Sequence, residues 1–558
     1  MKTARNVWHV VYISGIYYYF CNGDIQSLVR IFRIMSLTSQ LCLAVTLAVF
    51  ALILLSKRKF DYWRKRNVPY LQPTLLLGNY GGYILLKTYI GEIVQNICRK
   101  FPNEPYFGAF YGTEPTLIIQ DPELIKLVMT KDFYYFSGRE VSEHVHKEVT
   151  TQNLFFTYGD RWKVLRQNLT PLFSSAKMRN MFYLIRKCNK LLEDMLATET
   201  SLQVKDLELR SLMVRYTMDC IGSCAFGVNT STMDKESKNN PFRIIGDQIF
   251  EISNIRGFKI VMRSIWPSFM YALGIKTFPT KVNDFFNKLL SDIFQDRQYE
   301  PSSRNDFVDL MLNMKRNKYI TGDSMSNLKN KNGEKINLEA TNELLMANCI
   351  SFFAAGFETS STTMSFTLFE LAKNMEVQKR AIAEVDEYLL RHAGVLEYDT
   401  LNELQYLEAC VNEALRLYPV LGILTREVYE DYTFPNGLQL EKGIRVHIPV
   451  LHLHRNPDFF SNPEEFRPER FLPDAKKDIR PYTYLPFGEG PRVCIGMRFA
   501  KMQIVPGLVT VLKNYRLELA SGVCRTLKFE PRAFVTQAVG DIRLKFIPRN
   551  EKAIVTSE

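Results

Sequence analysis

The sequence predicts a single large domain that contains long helices. The chain has 558 residues, of which 46% are hydrophobic and 13% aromatic, and this is enough apolar material for a large core. No Gly/Ser-rich or proline-rich linker divides the chain after about residue 70. Apolar residues recur at helical spacing after about residue 280, most clearly in NELLMANCISFFAAGFETSSTTMSFTLFELAKN. These observations favour one helix-rich domain over several small ones.

Charge and cysteine content narrow the function classes. The ten cysteines are scattered, without a CxxC pair, which argues against a disulfide framework and against a zinc site. We therefore expect reduced thiols and a cytosolic location for most of the chain. The net charge is +12, and no nucleic-acid-binding motif accompanies it. An anionic membrane surface or an acidic protein partner explains this charge better.

An apolar stretch near the amino end predicts a membrane anchor. LTSQLCLAVTLAVFALILL, from Leu37 to Leu55, has nineteen residues without a charge. At 1.5 Å per residue it covers about 28 Å, close to the thickness of the hydrocarbon layer. SKRKFDYWRKR follows with six Lys or Arg, so we expect the catalytic part to face the cytosol. A buried core helix and a cleaved signal peptide are the alternatives.

The anchor sets the predicted domain boundaries. Met35 stands just before it, and the earlier apolar run VWHVVYISGIYYYF is too short to span, so we expect the protein to start at Met35. Pro69 and Pro73 in NVPYLQPTLLLGN cannot continue a helix, which predicts a stiff hinge. The expected parts are a doubtful extension at residues 1–34, a membrane anchor at 35–56, a basic, proline-containing hinge at 57–80 and a catalytic domain at 81–558.

Cys494 stands in an unusual setting. It lies in LPFGEGPRVCIG, from Leu485 to Gly496, where glycines permit close backbone approaches and two prolines stiffen the loop. The next residues, GMRFAKMQIVPGLVTVLKNY, are typical of a helix, whose N-terminal amides and dipole favour a thiolate. A fixed and shielded thiolate is what a metal requires of one axial cysteine. An ordinary buried cysteine in a glycine-rich turn is the alternative.

FGEGPRVCIG resembles the haem-binding signature of cytochromes P450. The resemblance implies that Cys494 is the proximal thiolate ligand of the iron of haem b. It also implies that Phe487 packs against the cysteine side of the porphyrin, that Arg492 meets a haem propionate and that Gly496 lies beside the cofactor. The likeness extends over roughly residues 36 to 545, and DFYYFSGR and AAGFETSSTTMSFTLFELAKN are most similar to microsomal insect P450s of clan 3, family 6. The resemblance implies a mainly α (α+β) class: the P450 fold, a large helical domain with a smaller β-rich part.

EALRLYP and FRPERF carry the charged residues of a predicted structural core. Glu413 and Arg416 are three residues apart and share a helical face, and Arg470 stands in FRPERF. By the resemblance, these three form the buried Glu-Arg-Arg cluster that secures the cysteine loop. The alternative is an ordinary exposed helical pair, which contributes only about 0.2–0.5 kcal/mol.

The long apolar segment resembles the P450 helix that crosses the distal face of the haem. Gly356 weakens this helix locally, and the Thr359 hydroxyl can bond back to the carbonyl of Ala355 and bend it. The resemblance makes Glu358 and Thr359 the acid–alcohol pair that holds water for proton delivery, with Glu358 linked to bulk solvent. It also places Gly356 beside the cofactor. A core helix that happens to contain a glycine is the alternative.

GDRWKVLRQNLTPLF and LTREVYEDY supply three more predicted contacts. Trp162 and Arg166 are four residues apart and face the same side of a helix, and Arg426 stands in the second motif. The resemblance assigns all three to the haem propionates, and a guanidinium suits a carboxylate because it can bind both oxygens. A surface arginine over a structural tryptophan is the alternative.

The resemblance implies a monooxygenase. Electrons from NADPH would arrive through NADPH–cytochrome P450 reductase, with cytochrome b5 as a second candidate partner, and one atom of O₂ would enter a hydrophobic small molecule. Expected substrates are xenobiotics such as plant toxins or insecticides, with endogenous lipids or hormones as alternatives, and the expected location is the cytosolic face of the endoplasmic reticulum membrane. A haem-thiolate isomerase or dehydratase, and a non-catalytic haem-containing binder of hydrophobic ligands, are the alternative functions; the Glu358–Thr359 pair argues against both.

Overall fold

The computed structural model describes residues 37–549 except for Val141, residues 202–205 and 235–238, Ser303, Asn305 and Lys331, and it describes the side chains of the first helix only in part. The predicted extension at residues 1–34 and the predicted start at Met35 lie outside the described residues. Within the part of the chain that is described, no helix is both long enough and apolar enough to cross a bilayer.

Helices form most of the molecule, and the predicted mainly helical class is confirmed. Short 3₁₀ turns connect several of them. In chain order the helices are α1 (Leu37–Phe60), α2 (Gly81–Ile84), α3 (Ile90–Cys98), α4 (Pro122–Lys126), α5 (Gly159–Leu169), α6 (Ser175–Ser201), α7 (Leu209–Ile221), α8 (Pro241–Ile249), α9 (Asn254–Ile265), α10 (Pro267–Ala272), α11 (Thr280–Asp296), α12 (Phe307–Asn317), α13 (Asn327–Asn330), α14 (Asn342–Lys373), α15 (Met375–Arg391), α16 (Gln405–Leu417), α17 (Val450–His454) and α18 (Met497–Asn514).

The strands form small sheets, as expected for a smaller β-rich part. They are β1 (Tyr106–Tyr111), β2 (Glu114–Ile119), β3 (Leu207–Glu208), β4 (Tyr319–Asp323), β5 (Lys335–Glu339), β6 (Leu424–Glu427), β7 (Tyr432–Thr433), β8 (Gln439–Leu440), β9 (Arg445–Ile448), β10 (Tyr515–Leu519) and β11 (Arg543–Pro548). The largest sheet has the order β1-β2-β9-β6, in which only the β2–β9 pairing is parallel. A second sheet has the order β10-β11-β3, and β4–β5 and β7–β8 are separate two-stranded ribbons.

Helix α14 runs through the centre of the helical part. Thr341 caps its start, because the Thr341 hydroxyl accepts the backbone N–H of Leu344 at 3.2 Å. Buried residues occur on all of its faces from Leu344 to Ala372, as expected for a helix enclosed by others. Helices α7, α16 and α18 pack against it. The segment with the clearest helical periodicity is therefore the central core helix.

The segment predicted as a hinge packs against the largest sheet. Trp63 is fully buried, and its indole Nε1 donates to the carbonyl of Ala109 at 2.9 Å. A Cβ on Gly108 would lie 2.3 Å from the Trp63 ring, so the strand needs a glycine there to admit the indole. Lys59, at the end of α1, forms an ion pair with Glu114 at 2.5 Å. The burial of Trp63 therefore attaches this segment to the sheet, while a stiff hinge stays a prediction.

The β4–β5 ribbon holds α5 in place. Gln167 on α5 donates through Nε2 to Oδ2 of Asp323 at 2.6 Å and accepts the backbone N–H of Asp323 at 2.7 Å. At the start of α5, Asp160 accepts the backbone N–H of Met325 at 2.6 Å. Helix α5 carries Trp162 and Arg166, so this ribbon helps to fix two of the predicted site residues.

Candidate functional site

The cysteine loop has a defined backbone form. Gly488 and Gly490 have φ angles of 72° and 69°, in the left-handed region that favours glycine. A Cβ on Gly490 would lie 2.0 Å from the carbonyl oxygen of Met129, so no other residue fits there. The backbone N–H of Cys494 donates to the carbonyl of Phe487 at 2.9 Å and closes the loop. The glycines of the motif are therefore structural requirements of the turn.

The Cys494 thiol sits between the loop and the start of α18. Its side chain has an exposed surface, yet enough protein surrounds it that burial raises the pKa of the thiol; the backbone N–H of Gly496 and the charge of Arg166 oppose this rise. A free thiol of raised pKa is a poor nucleophile, whereas a metal deprotonates the thiol that coordinates it. A Cβ on Gly496 would meet nothing closer than 3.9 Å, so there is room beside the loop. The setting suits a metal ligand better than a nucleophile.

Four arginines lie near the cysteine loop: Arg139, Arg166, Arg426 and Arg492. Burial lowers the pKa of Arg426 to about 10. It lowers the pKa of Arg139 to about 9, an effect to which the charge of Arg426 adds. The pKa of Arg492 is held well below its usual range by burial and then by the charges of the other three. This concentration of buried positive charge calls for an anionic partner.

Three of these arginines have backbone carbonyls as partners. Arg166 donates to the carbonyl of Val493 at 2.9 Å, and Arg492 donates to that of Ser137 at 2.8 Å. Arg426 donates to its neighbour's carbonyl, while its buried Nε has no hydrogen-bond partner. None of the three forms an ion pair with a carboxylate in the described ranges. A ligand with carboxylates fits this cluster, and haem carries two.

Trp162 belongs to the same cluster. It is buried on α5, and the guanidinium carbon of Arg492 lies 4.7 Å from the centre of its ring. Because α5 also carries Arg166 one turn later, the predicted pair does face one side of the helix. Arg139, which lies 3.9 Å above the ring of Phe155, was not predicted, because no spacing in the sequence links it to the motif residues.

On α14 the predicted back-bond is present. The Thr359 hydroxyl donates to the carbonyl of Ala355 at 2.7 Å, and the Ala355 side chain has an exposed surface. Gly356 also lies against a neighbouring helix. A Cβ at this position would lie 2.6 Å from Cδ1 of Ile221 on α7, so Gly356 allows two helices to pack closely, and a direct cofactor contact stays a prediction.

The Glu358 carboxylate lies away from solvent, whereas the sequence analysis expects it to be linked to bulk solvent. Its side chain is 0% exposed. Both carboxylate oxygens accept Nη2 of Arg210, at 2.7 and 2.9 Å, and one also accepts Nε2 of Gln537 at 2.8 Å. Behind these two partners lies a cleft of about 250 Å³, which Arg210, Gln537 and Thr362 help to line. Solvent therefore reaches the partners of Glu358 and not the carboxylate itself.

The predicted Glu-Arg-Arg residues come together in the core. Arg416 holds both oxygens of Glu413 at 2.7 Å, and Nε of Arg470 lies 3.3 Å from one of them. Arg416 also donates to the carbonyl of His454 at 2.9 Å. His454 in turn accepts the backbone N–H of Leu485, the first residue of the cysteine loop, at 2.8 Å. The cluster thus supports the loop through one histidine.

The chain is similar to known proteins over most of its length. A family model described as "Cytochrome P450" matches residues 68–544. The chain is 35% identical to "Cytochrome P450 6B2" of Helicoverpa armigera over 509 residues, 91% of this chain and 98% of the relative. It is 34% identical to "Cytochrome P450 6a2" of Drosophila melanogaster over 496 residues, 88% of this chain and 95% of the relative. "Cytochrome P450 9e2" of Blattella germanica is also 34% identical, over 88% of this chain and 94% of that relative.

Proposed function

The chain belongs to the cytochrome P450 family, whose members are haem-thiolate monooxygenases, and on that premise we propose that it oxidises hydrophobic small molecules with electrons from NADPH, delivered by NADPH–cytochrome P450 reductase. Xenobiotics such as plant toxins or insecticides are the first candidate substrates, and endogenous lipids or hormones the second. Cytochrome b5 is a second candidate redox partner. The net charge of +12 suits partners with acidic surfaces.

One observation carries the proposed site. Arg426 and Arg492 are buried and form no ion pair with a carboxylate among the described residues, and they lie beside a cysteine whose thiol suits metal coordination. We assign Cys494 as the iron ligand and the arginine cluster with Trp162 as the contacts of the haem propionates. Two propionates would neutralise part of the buried charge. The earlier assignments of Phe487, Gly496 and Gly356 beside the porphyrin remain part of this proposal.

Bound haem supplies the oxygen chemistry, and the protein supplies orientation, dryness and protons. The Thr359 hydroxyl donates its one proton to the carbonyl of Ala355. Its oxygen can therefore take part in a further hydrogen bond only as the acceptor. The Thr359 oxygen can therefore accept a hydrogen bond from a water molecule and hold that water in place. Glu358 neighbours this position in sequence, and Arg210 and Gln537 hold its carboxylate. In this proposal, water in the cleft beside those two side chains is the source of the protons.

The sequence also supports membrane attachment. Helix α1 contains the nineteen uncharged residues from Leu37 to Leu55 and ends in Lys57, Arg58 and Lys59 in its last turn. Although no helix among the described residues is both long enough and apolar enough to cross a bilayer, we propose from the sequence that residues 35–56 anchor the protein in the endoplasmic reticulum membrane, with the catalytic part on the cytosolic face.

The assignment of Cys494 is tested by the carbon-monoxide spectrum of the reduced protein. Thiolate coordination moves the main absorption band strongly to the red relative to imidazole coordination. We expect that band in the native protein and its loss in Cys494→Ser. Cys524→Ser changes an exposed cysteine elsewhere and should keep the band. A native protein with the band in the imidazole position would contradict the proposed function.

A further inference from the structure

Five consecutive backbone carbonyls of α14, from Ala355 to Thr359, accept side-chain donors at the predicted oxygen-side bend; the last of them accepts the Thr363 hydroxyl at 2.9 Å. The carbonyl of Ala355 accepts the Thr359 hydroxyl, and that of Glu358 accepts the Ser361 hydroxyl at 2.9 Å. Side chains of other helices reach the two carbonyls between them, those of Gly356 and Phe357. Side-chain donors that compete for helix carbonyls are a recognised cause of local bending. This turn is therefore held partly by groups outside the helix.

Gln503 on α18 is the strongest of the external donors. It is fully buried, and its amide nitrogen has two hydrogens. Nε2 of Gln503 lies 2.8 Å from the carbonyl oxygen of Gly356 and 2.6 Å from Oγ of Ser360. Gly356 and Ser360 are the two residues that an ordinary helical hydrogen bond joins. Gln503 thus contacts both residues of one helical hydrogen bond of α14, the bond whose donor, Ser360, follows Thr359.

Helix α7 meets the same turn from another direction. Ile221 occupies the space that a side chain at Gly356 would need. Oγ1 of Thr217 lies 3.0 Å from the carbonyl oxygen of Phe357 and 2.9 Å from that of Met213 in its own helix. Because a hydroxyl has one proton, Thr217 can donate to only one of these two carbonyls at a time. Gln503 has no such competition for its hydrogens.

We propose that Gln503 is a positioning residue for proton delivery: it fixes the turn from Gly356 to Ser360, and so the direction in which the Thr359 hydroxyl points. This inference rests on the proposed function. Helix α18 begins just after Cys494, so one rigid element joins the loop that bears the sulfur to the turn that bears the hydroxyl. Gln503 would thereby fix the position of the Thr359 turn relative to the cysteine loop.

The test uses the haem-loaded protein with Gln503→Met, which keeps the length of the side chain and removes both donors. We expect backbone amides in residues 355–362 to exchange hydrogen about three- to tenfold faster, as for the loss of one ordinary hydrogen bond. The red-shifted carbon-monoxide band should remain, while product formed per NADPH consumed should fall severalfold. Thr510→Val is the matched control, because it removes another buried donor of α18, one that bonds Pro506 in its own helix.

Gln503→Glu separates the donor role from packing, and it covers the case in which the methionine variant does not fold. A buried neutral carboxyl can donate to the Gly356 carbonyl, and an ionised one cannot. We expect exchange at residues 355–362 to match the native protein at low pH and to accelerate as the new carboxyl ionises. Unchanged exchange in Gln503→Met, an equal change in Thr510→Val, or a pH-independent Gln503→Glu would each overturn the inference. An absent thiolate band in the native protein would instead refute the proposed function.

Discussion

At the residue scale, the Thr359 hydroxyl and the Glu358 carboxylate have different surroundings although they are neighbours in sequence. The hydroxyl is bonded to its own helix and borders the space beside Ala355, whereas the carboxylate is enclosed by Arg210 and Gln537. A water held at Thr359 therefore depends on a single acceptor oxygen. Removal of that oxygen should impair proton delivery without disturbing the ion pair of Glu358.

Thr359→Ala should uncouple the reaction. We expect haem content and substrate binding to stay nearly native, since one hydrogen bond contributes only about 1 kcal/mol. NADPH use should continue, with most of the oxygen released as hydrogen peroxide, and product per NADPH should fall about tenfold or more, within the usual range for lost proton assistance. Thr367→Ala is the control, because it removes a similar back-bond two turns later on α14. A native product-to-NADPH ratio in Thr359→Ala would remove Thr359 from the mechanism.

The residues that sequence analysis identified are those whose chemistry is local. The sequence reveals the role of Cys494 because its glycines lie within the same short motif. It reveals the back-bond of Thr359 because the accepting carbonyl is only four residues earlier. The partners of Glu358 are 148 and 179 residues away in sequence, and Gln503 is 147 residues from Gly356. Nothing in a single sequence pairs such positions, because only the packing of α7, α14, α18 and the segment between β10 and β11 brings them together.

At the element scale, the sequence predicts that the apolar run Val261–Ile275, which Arg263 and Pro267 interrupt, makes a peripheral contact with the bilayer, and α9 and α10 show which side of it is available. Composition alone could not say which side of this apolar run is covered. Val261 and Ile265 are buried, while Phe269 and Leu273 are more than half exposed, as are Ile255 and Phe258 before the predicted run. These exposed residues are Ile255, Phe258, Phe269 and Leu273, and we call them the α9–α10 apolar patch.

The α9–α10 apolar patch lies close to the end of α1. Trp266 donates to the hydroxyl of Thr113 at 3.4 Å, and the next residue, Glu114, pairs with Lys59 in the last turn of α1. An anchored α1 would therefore bring the patch to the membrane surface. An exposed, broken apolar helix pair of this length can dip into the interface but not span it.

Charged substitutions in the patch should weaken membrane binding. In a truncated protein that begins at Lys57, the double variant Phe258→Asp and Phe269→Asp should bind phospholipid vesicles about tenfold or more weakly, because each buried aromatic side chain can contribute about 1.5–3 kcal/mol. Leu390→Asp changes a residue of α15 that is 81% exposed and should bind as the truncated protein does. Vesicle co-sedimentation measures the difference, and equal binding by all three proteins would rule out the contact.

At the scale of the whole molecule, the Glu-Arg-Arg cluster and the cysteine loop share one buried histidine. Burial, and then the charge of Arg416, lowers the pKa of His454 from 6.5 to about 3. The folded protein thus keeps His454 neutral, and neutral imidazole nitrogen is what accepts the backbone N–H of Leu485. Below pH 6.5 the imidazole of His454 is protonated in the unfolded chain but stays neutral in the folded protein. Stability should therefore be complete above pH 6.5 and decline as the pH falls towards 3.

This linkage predicts a loss of about 2 kcal/mol from His454 between pH 7 and pH 5. His452, whose pKa burial lowers to about 4, adds a loss of the same sign. His454→Gln keeps an acceptor for Leu485 but does not titrate, so its free energy of unfolding in urea should depend less on pH. His146→Gln alters an exposed histidine and should retain the native slope. An equal slope in His454→Gln would show that this histidine does not link the loop to pH.

The burial of Trp63 has a consequence for how the protein sits in space. The indole fills a socket in β1 that only a glycine at position 108 leaves open, and Lys59 and Glu114 fasten the same corner. The joint between α1 and the largest sheet is therefore held by a buried contact as well as by an ion pair. We expect a change in the direction of α1 to be passed on to the sheet, and through the sheet to the rest of the domain.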